Sequence, residues 1–197
     1  RYFAPGVAAL ILQHIAVTLG ALSLVREHRR GSFEFFGVAP VSILQVLFGK
    51  YLAYMVYVGI IAAGLVALMV WPLNVPFLGD PWLFVGLMAL FLFGAISVGF
   101  LISIVSNSDT QAVQLAMLVL LLSIFFSGFI LPLENFSIPV RYVGYIVPMT
   151  PAMEGIQDIM LYGTQPSSGV WVVLGLLGVV TFLLVTLFGY RRFRRPL

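Results

Sequence analysis

Few side chains in this sequence are suited to acid–base or metal chemistry, and they lie far apart. The 197 residues include 2 histidines, 7 acidic residues and no cysteine. His14 and His28 belong to different predicted elements, so they do not form a metal-binding pair. Asp80 and Asp109 fall in predicted loops on opposite sides of a membrane, which argues against a pair of membrane-embedded carboxylates. The sequence contains neither a phosphate-binding loop of the GxxxxGKS/T type nor a nucleophile elbow, so we predict that the chain is not an enzyme.

Charge is dense in one internal segment, residues 26–50, where phenylalanines alternate with charged side chains. The residues of interest are Arg26, Glu27, Arg30, Gly31, Phe33, Glu34, Phe35, Phe36 and Pro40. A tight turn between two membrane spans has no need of three phenylalanines. Apolar anchors among charged groups are typical of protein interfaces, so we interpret residues 26–40 as a docking element for a cytoplasmic partner. The alternative is an interfacial helix whose phenylalanines lie among lipid headgroups.

The rest of the chain is built for a membrane. Hydrophobic residues make up 61% of it and charged residues 9%, against about 25% charged in an ordinary soluble domain. A span needs roughly 20 apolar residues, and we predict an all-α, polytopic membrane protein with a single transmembrane domain, residues 1–197. The predicted spans are residues 5–25, 43–70, 82–105, 111–131 and 170–190.

A further apolar stretch, residues 139–162, is interrupted by prolines and charges, which argue against a simple lipid-facing helix. These residues are Arg141, Pro148, Pro151, Glu154 and Asp158. We predict a re-entrant or interfacial helical segment on the outer side of the membrane, bent near the two prolines. Glu154 and Asp158 are four residues apart, and we favour a face towards outer water over lining the exit or pairing one of them with Arg141.

The basic residues predict the orientation. Eight of the ten lie in two places, the segment after the first span and the C-terminal tail: Arg26, Arg29, Arg30, Lys50, Arg191, Arg192, Arg194 and Arg195. Because basic residues concentrate on the cytoplasmic side, we predict a multi-pass protein of the cell (plasma or inner) membrane with residues 26–42 and the tail in the cytoplasm. The tail arginines are typical of contact with membrane lipid, and nothing indicates nucleic acid.

Small and polar residues within the spans predict helix packing. Gln13, His14 and Thr18 lie in the first span, where polar side chains usually face the protein interior. We favour hydrogen bonds between helices over substrate contact for them. The third span carries a face of small residues, which predicts close approach of a neighbouring helix. They are Gly86, Gly94, Ser97, Gly99 and Ser103.

Three motifs, in order, resemble the membrane subunit of type-2 ABC exporters, the permease family of ABC-2 type transporters. The first is similar to R-E-x-E-x-G-T-x-E followed by a hydrophobic pair, a proline and Gly-Lys. Its matching residues are Arg26, Glu27, Gly31, Glu34, Phe35, Phe36, Pro40, Gly49 and Lys50, with Arg29 where an acidic residue is common and Ser32 in place of threonine. The second motif, similar to S-G-F-x-x-P-x-E-N, comprises Ser127, Gly128, Pro132 and Glu134. The third is residues 145–163, similar to the outer re-entrant segment of the family.

The resemblance implies a six-span subunit of which this chain lacks the first span and any outer domain after it. Residues 26–40 would be the coupling helix, docked on a separate cytoplasmic P-loop ATPase subunit that carries ATP and magnesium, so no cofactor is expected in this chain. Two permease subunits, identical or different, would enclose the substrate path. The second and third motifs would form the outer gate. Export would then proceed by alternating access.

Two other functions remain open from the residues alone. A membrane-integral enzyme would need polar residues clustered at one depth with perturbed acidity. A passive channel or an assembly subunit would have no energy-coupling partner, and residues 26–40 would then lie on lipid and bind no ATPase.

Overall fold

The computed structural model describes residues 3–29, 43–129 and 144–193, and within them the regular structure is helical. The helices are α1 (Ala4–Arg29), α2 (Ile43–Val70), α3 (Pro81–Val105), α4 (Asp109–Phe126), α5 (Met149–Gln157) and α6 (Ser168–Phe193), with a π-helical turn, Asp158–Tyr162, directly after α5. Five of these helices, all except α5, are long and apolar enough to cross a membrane. The predicted all-α, polytopic class is therefore confirmed.

The centre of the bundle is the pair formed by α1 and α3, the most buried of the long helices. Helices α2, α4 and α6 pack around this pair, and most of their apolar side chains are exposed or only partly buried. Such exposure is expected where lipid, rather than water, surrounds the helices.

Two glycines bring the backbones of α1 and α3 into direct contact. A Cβ atom on Gly99 would lie 2.5 Å from the carbonyl oxygen of Val17, and one on Gly20 would lie 2.8 Å from the carbonyl oxygen of Ile96. No side chain fits at this crossing, which is the packing that small residues permit between membrane helices. Gly99 thus makes the close approach that the sequence predicts for the third span, whereas Gly86 lies beside Trp171 and Gly94 beside Pro148.

Local sequence explains where several helices begin and end. The Asp80 carboxylate accepts a hydrogen bond from the Trp82 amide at 2.8 Å and caps the N-terminus of α3, and Ser108 caps α4 in the same way. Helix α4 ends at Phe126 and not at the predicted residue 131. The reason is local: Gly128 has φ 78°, a left-handed conformation that a continuing helix does not allow.

The long helices have two ends, named here after one residue at each. At the Lys50 end, the C-termini of α1 and α3 meet the N-termini of α2 and α4. At the other end, called the Pro148 end, α5 lies beside the N-terminal halves of α1 and α3 and the C-terminus of α4, with Pro148 next to Gly94 in the middle of α3. Since the Phe182 ring of α6 lies 5.2 Å from that of Tyr51 and Trp171 lies beside Gly86, α6 runs from the Pro148 end to the Lys50 end.

Helix α5 and the π-helical turn form a short buried segment at the Pro148 end. The 9 residues of α5 span roughly 14 Å, less than half of a bilayer core. The Leu78 amide, from the loop between α2 and α3, donates to the Met160 carbonyl oxygen at 3.1 Å. Gly163, with φ 64°, ends the turn. The segment is thus fixed to the bundle without crossing it.

Candidate coupling site at the Lys50 end

The last turns of α1 are joined to α2 by an ion pair. The Lys50 ammonium donates to a carboxylate oxygen of Glu27 and to the Ser23 hydroxyl, the latter at 3.1 Å. Ser23 and Glu27 are one helical turn apart, so a single lysine from α2 contacts two positions on the same face of α1. The side chains of Lys50 and Glu27 are only 16% and 28% exposed. A pair so shielded from water attracts more strongly than one on an open surface.

A second ion pair joins α1 to α4. The Arg26 Nε donates to Asp109 Oδ2 at 3.2 Å. Asp109 is the first residue of α4, where the helix dipole also favours a negative charge. The side chains of Arg26 and Asp109 are 52% and 35% exposed, so water screens this pair more than the first.

A serine on α3 completes the connections of α1. The Ser103 hydroxyl accepts hydrogen bonds from the backbone amides of Leu24 and Val25, each at 3.0 Å. Ser103 is buried, so these bonds are protected from competition with water. Between Ser23 and Glu27, α1 therefore contacts three other helices through polar groups.

We call this set the coupling node: Ser23, Arg26, Glu27, Lys50, Ser103 and Asp109. The sequence predicts Arg26 and Glu27 as docking residues for a partner, and the structure places both in ion pairs within the chain. The remaining predicted docking residues, Arg30, Gly31, Phe33, Glu34, Phe35, Phe36 and Pro40, lie outside the described residues, so their docking role stays a prediction.

Sequence reasoning missed the partners of Arg26 and Glu27. Opposite charges near the ends of adjacent spans were the available signal, and Lys50 and Asp109 both carried it. The missing information was the rotation of each helix, which decides which side chains face one another.

Hydrogen bonds within the membrane-spanning region link further helices. The Gln13 amide nitrogen donates to the Ser123 hydroxyl of α4 at 2.7 Å. The Tyr51 hydroxyl of α2 donates to the Ser97 hydroxyl of α3 at 2.9 Å. Gln13 thus makes the interhelical contact favoured from the sequence.

His14 and Thr18, predicted alongside Gln13, do not join this contact. Three side-chain atoms of α1 are buried and have no hydrogen-bond partner among the described residues. They are His14 Nδ1, Thr18 Oγ1 and the Gln13 side-chain oxygen. Nothing in the described part of the bundle therefore satisfies these three atoms.

The Gln13–Ser123 contact leads to an asymmetric prediction. Replacing Ser123 by alanine leaves the buried Gln13 amide wholly unpaired and should lower the free energy of unfolding by about 1 kcal/mol. Replacing Gln13 by leucine removes the unpaired oxygen together with the amide and should change stability by less than about 0.5 kcal/mol. Detergent-titrated unfolding of both variants and of the double variant measures this, and a larger loss for Gln13→Leu than for Ser123→Ala contradicts it.

The Pro148 end holds the residues predicted to form an outer gate. Pro148 immediately precedes α5, and Pro151 lies buried in its first turn. The Ser127 backbone amide donates to the Ser123 carbonyl oxygen at 3.0 Å as α4 ends. Gly128 follows with the left-handed backbone described above. Pro132 and Glu134 lie outside the described residues.

The two acidic residues of this segment are less solvated than their sequence predicts. Glu154 and Asp158 are both half-buried rather than fully exposed. Glu154 accepts a hydrogen bond from the Tyr145 hydroxyl at 2.7 Å. Burial raises the pKa of the Asp158 carboxyl above its ordinary value, because desolvation disfavours the charged form. The cause is the packing of the segment against the bundle, which the sequence does not show.

Thr150 fixes α5 to the end of α4. Its hydroxyl contacts the carbonyl oxygens of Gly144 at 2.7 Å and Phe126 at 3.2 Å, and the side chain is fully buried. Thr150→Val keeps the shape and removes the donor, so we expect a loss of about 1 kcal/mol in the free energy of unfolding. Thr186→Val is the matched control, since the exposed Thr186 hydroxyl contacts only its own helix. Equal effects in thermal unfolding of the two variants would contradict the prediction.

The chain matches the family model described as ABC-2 family transporter protein over residues 1–190. It is 29% identical over 168 residues to the probable multidrug ABC transporter permease YbhS of Escherichia coli (strain K12), covering 84% of this chain and 44% of that protein. It is 30% identical over 190 residues to ABC transporter G family member 20 of Dictyostelium discoideum, covering 95% of this chain and 26% of that protein. The inner membrane transport permease YhhJ of Escherichia coli (strain K12) is 29% identical over 161 residues, at 80% and 43% coverage.

The helical bundle and the match over nearly the whole chain define a transmembrane component of ABC transporters. The chain belongs to the ABC-2 family of transporter proteins. The resemblance that its three motifs carry is thereby confirmed. The chain spans less than half the length of each of the relatives named above.

Proposed function

We propose that this chain forms the membrane domain of a permease subunit in an ATP-driven exporter, coupled to a separate P-loop ATPase subunit. Substrate moves by alternating access between two such subunits. The observation that carries the proposal is the coupling node. The two helices that flank residues 30–42 are paired to each other through Glu27 and Lys50, and α1 is further tied to α3 and α4. A force applied to the intervening segment therefore reaches four helices of the bundle.

The orientation follows from the same end of the bundle. The Lys50 end carries the segment with dense charge and the C-terminus of α6, which together hold eight of the ten basic residues. We place this end in the cytoplasm, where basic residues of membrane proteins concentrate. The Pro148 end, with α5 and the π-helical turn, then faces the outer side and closes the exit.

The relatives suggest a class of substrate. YbhS is named as a probable multidrug permease. We propose apolar, drug-like compounds for this chain as well, by analogy with that relative.

The experiment that tests the ATPase partnership is a purification of the full-length subunit from its own membranes. Residues 30–40 are scrambled in one variant, which leaves the coupling node unchanged. Scrambling residues 191–197, a basic segment at the same end, is the matched control. We expect mass spectrometry to identify a P-loop ATPase with the wild type and the control, and none with the first variant. An ATPase retained after scrambling residues 30–40, or absent from the wild type, contradicts the proposal.

A further inference from the structure

The loop between α2 and α3 is joined to the π-helical turn backbone to backbone. The Leu78 amide donates to the Met160 carbonyl oxygen at 3.1 Å. A Cβ atom on Gly79 would lie 2.6 Å from the carbonyl oxygen of Ile159, so the two backbones also touch directly. Backbone has no rotamers with which to adapt, and parting the two stretches would leave an amide and a carbonyl group unpaired. The loop and the turn are therefore expected to move together.

The same unit is attached to α3. Asp80 ends the loop and caps the N-terminus of α3. On the other side, a Cβ atom on Gly155 of α5 would lie 2.8 Å from a methyl carbon of Leu87, a fully buried residue of α3. We call residues 71–80 together with residues 149–163 the outer cap. Covalent, hydrogen-bonded and packing contacts thus hold the outer cap on α3.

The contact between the outer cap and α1 is made by adaptable side chains. A Cβ atom on Gly6, in the first turn of α1, would lie 2.7 Å from Met153 Cε and 3.2 Å from Met153 Sδ. The Phe129 ring approaches the same position to 3.0 Å. Methionine is unbranched and has three rotatable side-chain bonds, so Met153 can follow a neighbour that moves. The first turn of α1 can therefore shift against the cap without a backbone clash.

The backbone contact of α1 with α3 lies further along the helix. It is the Gly20–Gly99 crossing, about 21 Å from Gly6 at the rise of an α-helix. Small rotations of packed helices are absorbed by side chains on either side of their closest approach. Gln13 lies halfway along this arm, so its long side chain needs to follow only half of the displacement to stay bonded to Ser123.

We propose that the exit opens when the N-terminal turns of α1 swing away from α5 about the Gly20–Gly99 crossing, while the outer cap stays closed on α3. Since α1 is one continuous helix from Ala4 to Arg29, a push on its last turn moves its first turn in the opposite direction. The inference rests on the proposed function, which assigns the exit to the Pro148 end and the driving force to an ATPase at the Lys50 end. It adds which contact of the exit opens.

Crosslinking tests which contact opens. The sequence contains no cysteine, so pairs can be introduced into the full-length subunit, with any cysteine elsewhere in it replaced by serine. The exit pair is Gly6→Cys with Met153→Cys. The cap pair is Leu78→Cys with Gly163→Cys, whose Cβ atoms would lie 3.1 Å apart. Each variant is purified with its ATPase in nanodiscs, and permease-dependent ATP hydrolysis is measured before and after a short thiol crosslinker is added.

We expect the exit crosslink to abolish permease-dependent hydrolysis, because an exit that cannot open stops the transport cycle. The cap crosslink should leave hydrolysis as it was in the same variant before crosslinking. The comparison is made within each variant because Gly163 has a positive φ, which strains any replacement. Inhibition by the cap crosslink, or hydrolysis that survives the exit crosslink, overturns the inference.

A pair of single substitutions gives an independent measurement should the cysteine variants fold poorly. Met153→Ile places a stiff, β-branched side chain against Gly6. It should lower permease-dependent hydrolysis about fivefold, the rate effect of the smaller repacking costs in protein cores. Met153→Leu is the matched control, since leucine is unbranched at Cβ and similar in volume, and it should keep most of the activity. Equal hydrolysis in the two folded variants counts against a moving contact at Met153.

The proposed function and this inference fail in different ways. An ATPase that never purifies with the wild type removes the proposed function, and the inference with it. Normal partnership together with hydrolysis that is insensitive to the exit crosslink removes only the inference.

Discussion

Replacing Gly99 by valine is expected to prevent the bundle from folding stably. The added Cβ would lie 2.5 Å from a carbonyl oxygen and 2.9 Å from the Cα atom of Gly20, both of which are backbone atoms. Backbone cannot turn aside as a side chain can, so α1 and α3 must separate along their contact. We expect a loss of at least about 3 kcal/mol in the free energy of unfolding, the upper part of the range for overpacked cores.

The matched control is Gly64→Val in α2. Gly64 also lies in the interior of a spanning helix, and apart from the backbone of that helix no atom of the described residues lies within 4 Å of a Cβ built there. We expect its stability to change by less than about 0.5 kcal/mol. The yield of monodisperse protein and the midpoint of detergent-induced unfolding measure the stability of both variants. Similar losses for the two would mean that the α1–α3 crossing is not the central contact of the bundle.

The spans were predictable because their main determinant, the length of an apolar run, is visible in the sequence itself. A run of apolar residues long enough for the hydrocarbon core has few alternatives to a helix, since every backbone group must be paired within it. The exception is informative. Residues 127–131 continue the apolar run of α4, yet the helix ends at Phe126 because Gly128 adopts a positive φ. Composition does not distinguish a glycine that permits close packing from one that ends a helix.

The coupling node was only partly predictable. The sequence shows charges near the ends of all five spans, but the pairing of Glu27 with Lys50 depends on how α1 and α2 are rotated about their axes. Ser103 illustrates the same limit. Its small size predicts a packing face, whereas its hydroxyl in fact accepts from two backbone amides of α1. Such contacts depend on the crossing of α1 and α3, which is a property of the whole bundle.

The sequence predicts that the segment at the Pro148 end is not a membrane span, but it does not predict that the segment is buried. Two prolines and the acidic residues argued correctly against a lipid-facing helix, since the described part contains only the short α5 and a π-helical turn. The raised pKa of Asp158 and the burial of Thr150 follow from contacts with α4 and with the loop after α2. Those contacts join residues far apart in sequence, where periodicity carries no information.

The second large effect is expected at residue 36, in the proposed docking segment. Phe36→Asp should abolish partnership with the ATPase, because an apolar anchor at an interface centre commonly contributes more than about 2 kcal/mol and a carboxylate there must also be desolvated. Glu34→Arg should act in the same direction by reversing a charge that we expect to meet a complementary one on the ATPase. Insertion should be unaffected, since both positions lie between the predicted spans. Co-purification of the ATPase and permease-dependent hydrolysis measure the outcome.

Conservative substitutions at the same positions supply the controls. Phe36→Leu keeps an apolar side chain and Glu34→Gln keeps the size of the glutamate, so both variants should retain most of the bound ATPase. If Phe36→Asp and Glu34→Arg also bound the ATPase fully, docking through this segment would be ruled out.

The comparison with Lys50→Glu separates binding of the ATPase from transmission of its motion. If residues 30–40 bind the ATPase and the node transmits its motion, Phe36→Asp loses the partner altogether. Lys50→Glu, by contrast, keeps the partner bound and loses the hydrolysis that depends on the permease. A subunit in which both variants lost the ATPase equally would have one docking surface extending to Lys50.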